Sequence, residues 1–240
     1  MAAKRTVSKK AAKKRPATKK AVRKAAKKVA GKTGSGSALE RRMAEERAVC
    51  RVLQVWAYSR DSGDWEALRN CFHPDGTITV SWYSGPASGF VERSMAMGKE
   101  RRPEERSKHL LGNMRAEVAG SRAVLEADTV ITVREFIDGH LFDFASNARF
   151  FHLVEKRNGE WRILRANCIY EKDRLEPVIP GSVPASFYDQ VDLTGPDNGF
   201  AFMRFRQTKK GRAIPKVPLA GTPEEAKLRA EAQQWLKGAA

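Results

Sequence analysis

The chain has 240 residues, 41% of them hydrophobic, which is enough for one sizeable core. No apolar run approaches the roughly 18 residues of a membrane span, and the first residues lack the apolar segment of a secretory signal, so we expect a cytoplasmic protein rather than a membrane or exported one. The net charge of +17 is uneven, because residues 1–39 contain 14 Lys or Arg and no acid, which leaves 31 basic and 28 acidic residues in the rest.

Residues 1–38 are predicted to form a disordered Lys/Ala-rich tail and linker. The segments KKAAKKR and TKKAVRKAAKK repeat like charges and supply too little apolar surface to offset chain entropy. They resemble the tails of linker histones and of bacterial histone-like proteins. The charge alone predicts sequence-independent nucleic-acid contact through residues 1–37, and with it association with the nucleoid. A tail that serves solubility or localisation is the alternative.

Apolar residues at helical spacing predict a first helix at residues 37–60. Ser37 and Glu40 have the spacing of an N-terminal capping box. A short second helix is predicted at 64–72, closed by a turn at HPDG (73–76), and a third helix at 90–99. Between them lies a predicted strand at 77–83, ended by Gly85-Pro86.

The rest of the predicted pocket domain, residues 39–175, is rich in strands. Strands are predicted at 108–118, 123–137, 141–156 and 161–170, separated by the turn signals AGS, DG and NG. Strands joined by tight turns are antiparallel. Helices followed by such a meander predict an α+β fold. We expect a cone-shaped barrel of three N-terminal helices packed on a curved antiparallel sheet, with a cavity at its open end.

Residues 176–240 are predicted to form an extended arm and a C-terminal helix. Pro and Gly are frequent and periodicity is lost up to residue 221. The helix begins after Thr222, a suitable N-cap, and Pro223 occupies its first position.

Asp61 and His109 are the candidates for chemistry. Asp61 ends the first helix, where the helix dipole does not stabilise a carboxylate, so it needs a partner. His109 and Asn113 lie four residues apart on a strand and are expected to share one face. A carboxylate that fixes one tautomer of imidazole leaves the other nitrogen free to move a proton. The alternatives are a structural histidine and an Asp61 that caps the next turn through Ser62 and Gly63.

The segments SRDSGDWEALRNCF, FHPDG and SKHLLGN, with the NGEW turn, resemble the SnoaL-like branch of the nuclear transport factor 2-like superfamily. The resemblance covers roughly residues 39–175 and is nearest to scytalone dehydratase and hexachlorocyclohexane dehydrochlorinase. It implies a lyase in which Asp61 and His109 remove a proton and expel water or chloride. It also places Asn113 on an Asn that follows the catalytic His of the dehydrochlorinase.

Other positions depart from that pattern. Arg60 stands where the dehydratase has a Tyr, with Tyr58 nearby. Val80 stands where a second pocket Tyr lies, with Tyr83 close, and Arg134 lies near the position of a second His. Arg134 suits an anionic substrate group if its strand face points inward. The residues expected to bind substrate are Tyr58, Tyr83, Asn113 and Arg134.

Two functions compete on this basis. One is a lyase or isomerase that uses the Asp61–His109 pair on a small organic molecule; no Gly-rich phosphate loop or metal-ligand spacing is evident, so no cofactor or metal is expected. The other is a non-catalytic ligand-binding or dimerisation module, tethered to nucleic acid by the tail. With either function, the protein is expected to form homo-oligomers. The enzyme requires Asp61 and His109 within hydrogen-bond reach inside a pocket.

Several apolar side chains are expected either to line a cavity or to belong to the ordinary core, namely Trp56, Tyr83, Phe90, Met95, Met97, Phe136 and Phe150.

Overall fold

Five helices and six strands make up residues 37–238, the part of the chain that this computed structural model describes. The helices are α1 (Ala38–Ser62), α2 (Trp65–Asn70), α3 (Ala87–Lys99), α4 (Ala201–Lys209) and α5 (Pro223–Lys237). The strands are β1 (Phe72–Val80), β2 (Tyr83–Pro86), β3 (Arg106–Ala119), β4 (Arg122–Ile137), β5 (His140–Arg157) and β6 (Glu160–Pro177). None of these helices has both the length and the apolar content of a membrane span. The predicted tail lies outside the described residues, apart from Ser37 and Ala38.

One mixed sheet with the order β2-β1-β6-β5-β4-β3 forms the centre of the fold. The three predicted tight turns do join antiparallel neighbours, from β3 through to β6. The pair β1–β6 is parallel, which is possible because those strands are far apart in the chain and no hairpin constrains their direction. The predicted α+β class is confirmed, with helices packed on a curved sheet. The sheet is not closed into a barrel.

Strand alternation divides the apolar residues between two cores. Leu125 and Phe150 belong to the main core under α1 and α3, whereas Val124 and Phe151 belong to a smaller cluster on the other face. Helix α5 covers this second face with Leu236 and its neighbours. Successive residues of β4 and β5 point to opposite faces, and apolar residues occupy both sets of positions, so both faces of the sheet are buried. Only the inner face adjoins the cavity.

The segment predicted as an HPDG turn and a strand at 77–83 is arranged differently. Strand β1 already begins at Phe72, and its pairing with β6 is interrupted between Phe72 and Thr77, so HPDG forms an irregularity inside the strand. A tight turn after Val80 then starts β2, which pairs antiparallel with β1. The prediction of a turn at 73–76 was wrong because β6 supplies pairing partners on both sides of it.

The capping signals are present where they were predicted. Ser37 and Glu40 form a reciprocal capping box at α1, with the Glu40 N–H 3.2 Å from Ser37 Oγ and the Ser37 N–H 2.5 Å from Glu40 Oε2. Thr222 caps α5, and Pro223 occupies its first turn. The arm, in contrast, contains the unpredicted helix α4 and two short 3-10 turns, at Ala185–Tyr188 and Asn198–Phe200.

His152 is expected to make stability depend on pH. Burial lowers its pKa from 6.5 to about 4, and its ring Nδ1 accepts a hydrogen bond from the Asn167 N–H. The unfolded chain therefore binds more protons than the folded chain between pH 6.5 and 4. The free energy of unfolding should fall by about 3 kcal/mol as pH decreases through this window.

Urea unfolding of the wild type and of His152→Gln at pH 4, 5, 6 and 7 checks this expectation. The difference between the two curves isolates the contribution of this side chain from that of the carboxyl groups. A difference that stays constant with pH would contradict the assignment.

Candidate active site

A cavity of about 350 Å³ adjoins the inner face of the sheet and is lined by side chains of α1, α3, α4, β1, β3 to β6 and the loops between them. Trp56 and Trp82 both stack on Phe90, with ring centroids 6.1 and 5.2 Å away. Phe150 meets Trp56 edge to face at 5.2 Å. One wall of the cavity is therefore aromatic and can hold a flat apolar group.

Asp61 and His109 lie together at this wall. Nδ1 of His109 is 2.6 Å from Asp61 Oδ1, and the backbone N–H of His109 donates to Asp61 Oδ2 at 2.8 Å. The Asp61 side chain is 6% exposed and the His109 side chain 11%. Lys108 Nζ lies 3.9 Å from Asp61 Oδ2 at the protein surface. The structure brings the two predicted residues together, and Asp61 does not cap the turn at Ser62.

The rest of the His109 environment leaves its second nitrogen available. The ring packs edge-on against Trp56, with centroids 5.4 Å apart, and lines the cavity. Among the described residues, Nε2 has no hydrogen-bond partner. In the neutral imidazole, an Nδ1–H that donates to the Asp61 carboxylate leaves Nε2 as the nitrogen that can accept a proton. That arrangement can take a proton from a bound molecule and return it.

Two predicted substrate-binding tyrosines do not line the cavity. Tyr58 is 72% exposed on α1, because it lies on the face of that helix opposite the core residue Trp56. Tyr83 is buried, but its hydroxyl donates to the Pro86 carbonyl at 2.8 Å and its ring packs against Phe90. Tyr83 is therefore a core residue that secures the β2 hairpin.

Asn113 is also outside the cavity, although simple strand alternation predicts that it shares a face with His109. A bulge between Gly112 and Arg115 shifts the register with β4, and Asn113 takes a positive φ of 39°. The residue beyond the bulge that faces inward is Met114, while Asn113 is exposed and donates to Asp128 at 2.7 Å. The bulge therefore breaks the expected common face of His109 and Asn113.

Arg134 adjoins the cavity without offering it a free guanidinium. Its side chain forms a two-pronged ion pair with Asp143 across β4 and β5, with N–O distances of 2.8 and 2.6 Å. Both partners are more than 40% exposed. The predicted anion-binding role therefore does not fit Arg134, whose donors face a carboxylate outside the cavity lining.

A group of basic side chains from other elements, which was not predicted to bind substrate, faces the cavity instead. Arg60 extends from the last turn of α1, and Arg101 comes from the loop before β3. The cavity-lining residues of the C-terminal arm and α4 include Met203, Arg206, Lys210 and Arg212. The basic run RFRQTKKGR at 204–212 is the only local signal that points to them.

Glu135 holds part of this basic group in place. Its buried carboxylate forms an ion pair with Arg206, and Lys210 Nζ is 2.9 Å from its other oxygen. Burial alone would raise the pKa of Glu135, but the charges and hydrogen bonds of Arg206 and Lys210 keep that pKa below its usual value. This cluster fastens α4 to β4 beside the cavity.

No group of three or more His, Cys, Asp or Glu side chains within residues 37–238 is placed to hold a metal ion. The polar groups of the cavity are a His–Asp pair, arginines, a lysine, glutamates and hydroxyls. The chemistry that these residues can supply by themselves is proton transfer and charge stabilisation.

Comparisons with known proteins concern the family and the fold. Residues 41–167 match the family model described as SnoaL-like domain. A PEP2-like protein of Fusarium vanettenii is 32% identical over 210 residues, which cover 82% of this chain and 88% of that protein. Pea pathogenicity protein 2 of the same fungus is 30% identical over 167 residues, 69% and 70% of the two chains. The crystal structure of a candidate scytalone dehydratase from Novosphingobium aromaticivorans has the same fold at 16% identity, with a TM-score of 0.50 over 61% of this chain and 99% of that one.

Proposed function

Because the chain belongs to the SnoaL-like domain family, we propose that its cavity performs acid–base chemistry on a small organic molecule without a cofactor. The reaction is a dehydratase-like elimination or an isomerisation. The observation that carries the proposal is the Asp61–His109 contact at 2.6 Å, with His109 Nε2 free of protein partners among the described residues and its ring at the cavity wall.

The proposed reaction begins with removal of a proton. His109 Nε2 takes a proton from a carbon next to a carbonyl group, and the electron pair of the broken C–H bond enters a new C=C bond. Asp61 stabilises the imidazolium that forms. In an elimination, the C–O bond at the neighbouring carbon breaks and the leaving oxygen takes the proton from His109, so water departs. In an isomerisation, the same proton returns to another carbon of the substrate.

The aromatic wall contributes by position and by exclusion of water. Trp56 and Phe150 flank the His109 ring and hold it in one orientation. Proton transfer of this kind is worth about 10²–10⁴-fold in rate, and correct orientation of the substrate adds to it. A flat substrate ring that stacks on Phe90 and Trp82 would be fixed beside Nε2.

Solvent exchange and product formation test the proposal together. The full-length protein is incubated in D₂O with a panel of hydroxylated aromatic and polyketide-like ketones, and the mixture is followed by NMR and mass spectrometry. We expect deuterium to enter the carbon next to the carbonyl, and loss of water or a shifted double bond for the processed compound. The proposal fails if no compound exchanges or changes faster than in the protein-free mixture. In that case the non-catalytic ligand-binding or dimerisation module becomes the better reading.

The N-terminal charge supports a second proposal, which concerns a partner. We propose that residues 1–37, with their 14 basic and no acidic side chains, bind duplex DNA without sequence preference. Each phosphate contact releases counterions, so log K should fall with log salt by about 0.9 per contact. Fluorescence anisotropy with two unrelated duplexes from 50 to 200 mM salt measures this slope.

A truncation that removes residues 1–36 and keeps the Ser37 cap of α1 is the matched control. We expect it to lose DNA binding and to keep its catalytic activity. Equal DNA affinity of the truncated and full-length proteins would reject the tail as the binding element.

A further inference from the structure

Among the described residues, four arginines that line the cavity form no ion pair with a carboxylate; Arg102 is exposed, whereas Arg60, Arg101 and Arg212 are half-buried. The Arg60 guanidinium contacts only aromatic rings among the described residues, 5.9 Å above Trp65 and above Phe90. Arg101 donates to the Ser107 hydroxyl at 3.0 Å. Arg212 donates to the side-chain oxygen of Gln207 at 3.1 Å. Buried or half-buried cations normally pair with an acid, so this arrangement needs an explanation.

All but one of the acidic side chains nearby are engaged elsewhere. Both oxygens of Asp61 face His109, and Glu135 serves Arg206 and Lys210. Glu105 accepts the backbone N–H groups of Arg102 and Phe136. Glu100 also adjoins the cavity, but makes no ion pair with any described residue. The described lining holds seven Lys or Arg and three acids, so the cavity is positive although the domain as a whole is nearly neutral.

These cations also affect one another. The pKa of Arg60 is lowered to about 10, mainly by burial; the charges of Arg101 and Arg212 act in the same direction, and that of Asp61 opposes them. Burial likewise lowers the pKa of Arg212. An anion bound among these three arginines would remove the repulsion and supply the missing acceptor.

We propose that this cavity binds an aromatic or similarly flat carboxylate, whose anionic group is held by Arg60 with Arg101 and Arg212 beside it. Arginine donors match a carboxylate in two-pronged geometry. The apolar part of the ligand rests on the wall formed by Trp56, Trp82 and Phe90. The inference rests on the proposed function only in treating this acid as the substrate.

The position of Arg60 relative to His109 gives the ligand a direction. Trp56 and Arg60 are four residues apart on α1 and therefore share a face. The His109 ring meets the Trp56 ring at 5.4 Å, and the Arg60 guanidinium lies over Phe90, which stacks on Trp56. A flat acid along this wall has its carboxylate at the Arg60 end and its reacting carbon at the His109 end.

Calorimetric titration of the full-length protein with cinnamate and 2-naphthoate, and with their uncharged primary amides, tests the site. We expect the acids to bind and the amides to bind about 10–100-fold more weakly, because a hydrogen bond to a charged partner contributes that much. Arg60→Met keeps the side-chain stem on its aromatic neighbours. It should weaken binding of the acids by the same factor and leave binding of the amides unchanged.

Two further variants complete the test. Arg165→Gln removes one positive charge outside the cavity lining, from a side chain whose nearest acid is Glu231 at 3.5 Å; acid affinity should not change. Arg60→Lys keeps the charge but not the two-pronged donor geometry, so its affinity for the acids should lie between those of the wild type and Arg60→Met. Because Arg60 forms no ion pair with a carboxylate of the described residues, the thermal midpoint of Arg60→Met should not fall.

The possible results separate this inference from the proposed reaction. Equal affinity for acids and amides, or equal acid affinity of wild type and Arg60→Met, would overturn the anion site. If the protein converts neutral compounds only and the acids do not inhibit that conversion, the anion site is overturned while the proposed reaction stands. Binding of the acids that depends on Arg60, without turnover of any compound, would support the anion site and contradict the proposed reaction.

Discussion

Replacing His109 by glutamine should lower kcat by about 10²–10⁴-fold for any compound that the wild type processes. The amide cannot take a proton, and Nε2 is the proton-accepting atom assigned to this cavity by the contact of Nδ1 with Asp61. KM should change little, because the aromatic wall remains. Initial rates of deuterium incorporation, measured by NMR over a range of substrate concentrations, give kcat and KM separately.

Asp61→Asn should have an effect of similar size for a different reason. Asp61 accepts two donors of His109, its backbone N–H and its ring N–H. An amide offers only one oxygen, so its NH₂ group must face one of these donors or force the ring into the other tautomer. Protonation then moves to Nε2 and removes the base.

His140→Gln is the control, because His140 packs on Phe187 and does not line the cavity. It should keep wild-type rates. Circular dichroism of each variant checks that the fold is intact. Undiminished exchange in His109→Gln would contradict the assignment of His109 as the base.

Replacing Glu135 by glutamine should destabilise the fold by about 3–5 kcal/mol. The carboxylate is 5% exposed and is paired with Arg206, whose side chain is 8% exposed, and with Lys210. Loss of its charge leaves two cations close together with no acid to balance them. Urea unfolding at pH 7, analysed by linear extrapolation, measures the change in the free energy of unfolding.

The neighbouring ion pair between β4 and β5, Arg134 with Asp143, provides a control. Asp143→Asn removes the partner of Arg134, but both side chains are more than 40% exposed, so the unfolding midpoint should stay close to that of the wild type. The double variant Glu135→Gln with Arg206→Met should recover part of the lost stability, because it removes one unbalanced cation and keeps contact with Phe144. A Glu135→Gln midpoint equal to that of Asp143→Asn would show that the buried pair adds nothing to stability.

Features that depend on neighbouring residues in the chain were predictable from the sequence. The capping box at Ser37 and the cap at Thr222 each use a side chain and a backbone N–H three residues apart. The turns that join β3 to β6 are local as well, and they determine the antiparallel order of those strands. The Asp61–His109 contact spans 48 residues, and it was predicted from a family resemblance together with the unfavourable position of Asp61 at a helix end.

Features that depend on distant partners were decided only by the tertiary structure. Helix α4 has Phe200 at its cap position, and its first N–H groups are accepted by Asp173 of β6, about 30 residues away. Arg206 and Gln207 are buried in it, which hides the apolar periodicity. The bulge after Gly112 turns Asn113 outward, since pairing with β4 sets the register there. The basic group of the cavity comes from α1, the loop before β3 and the C-terminal arm, and only packing of these segments on one sheet face brings the charges together.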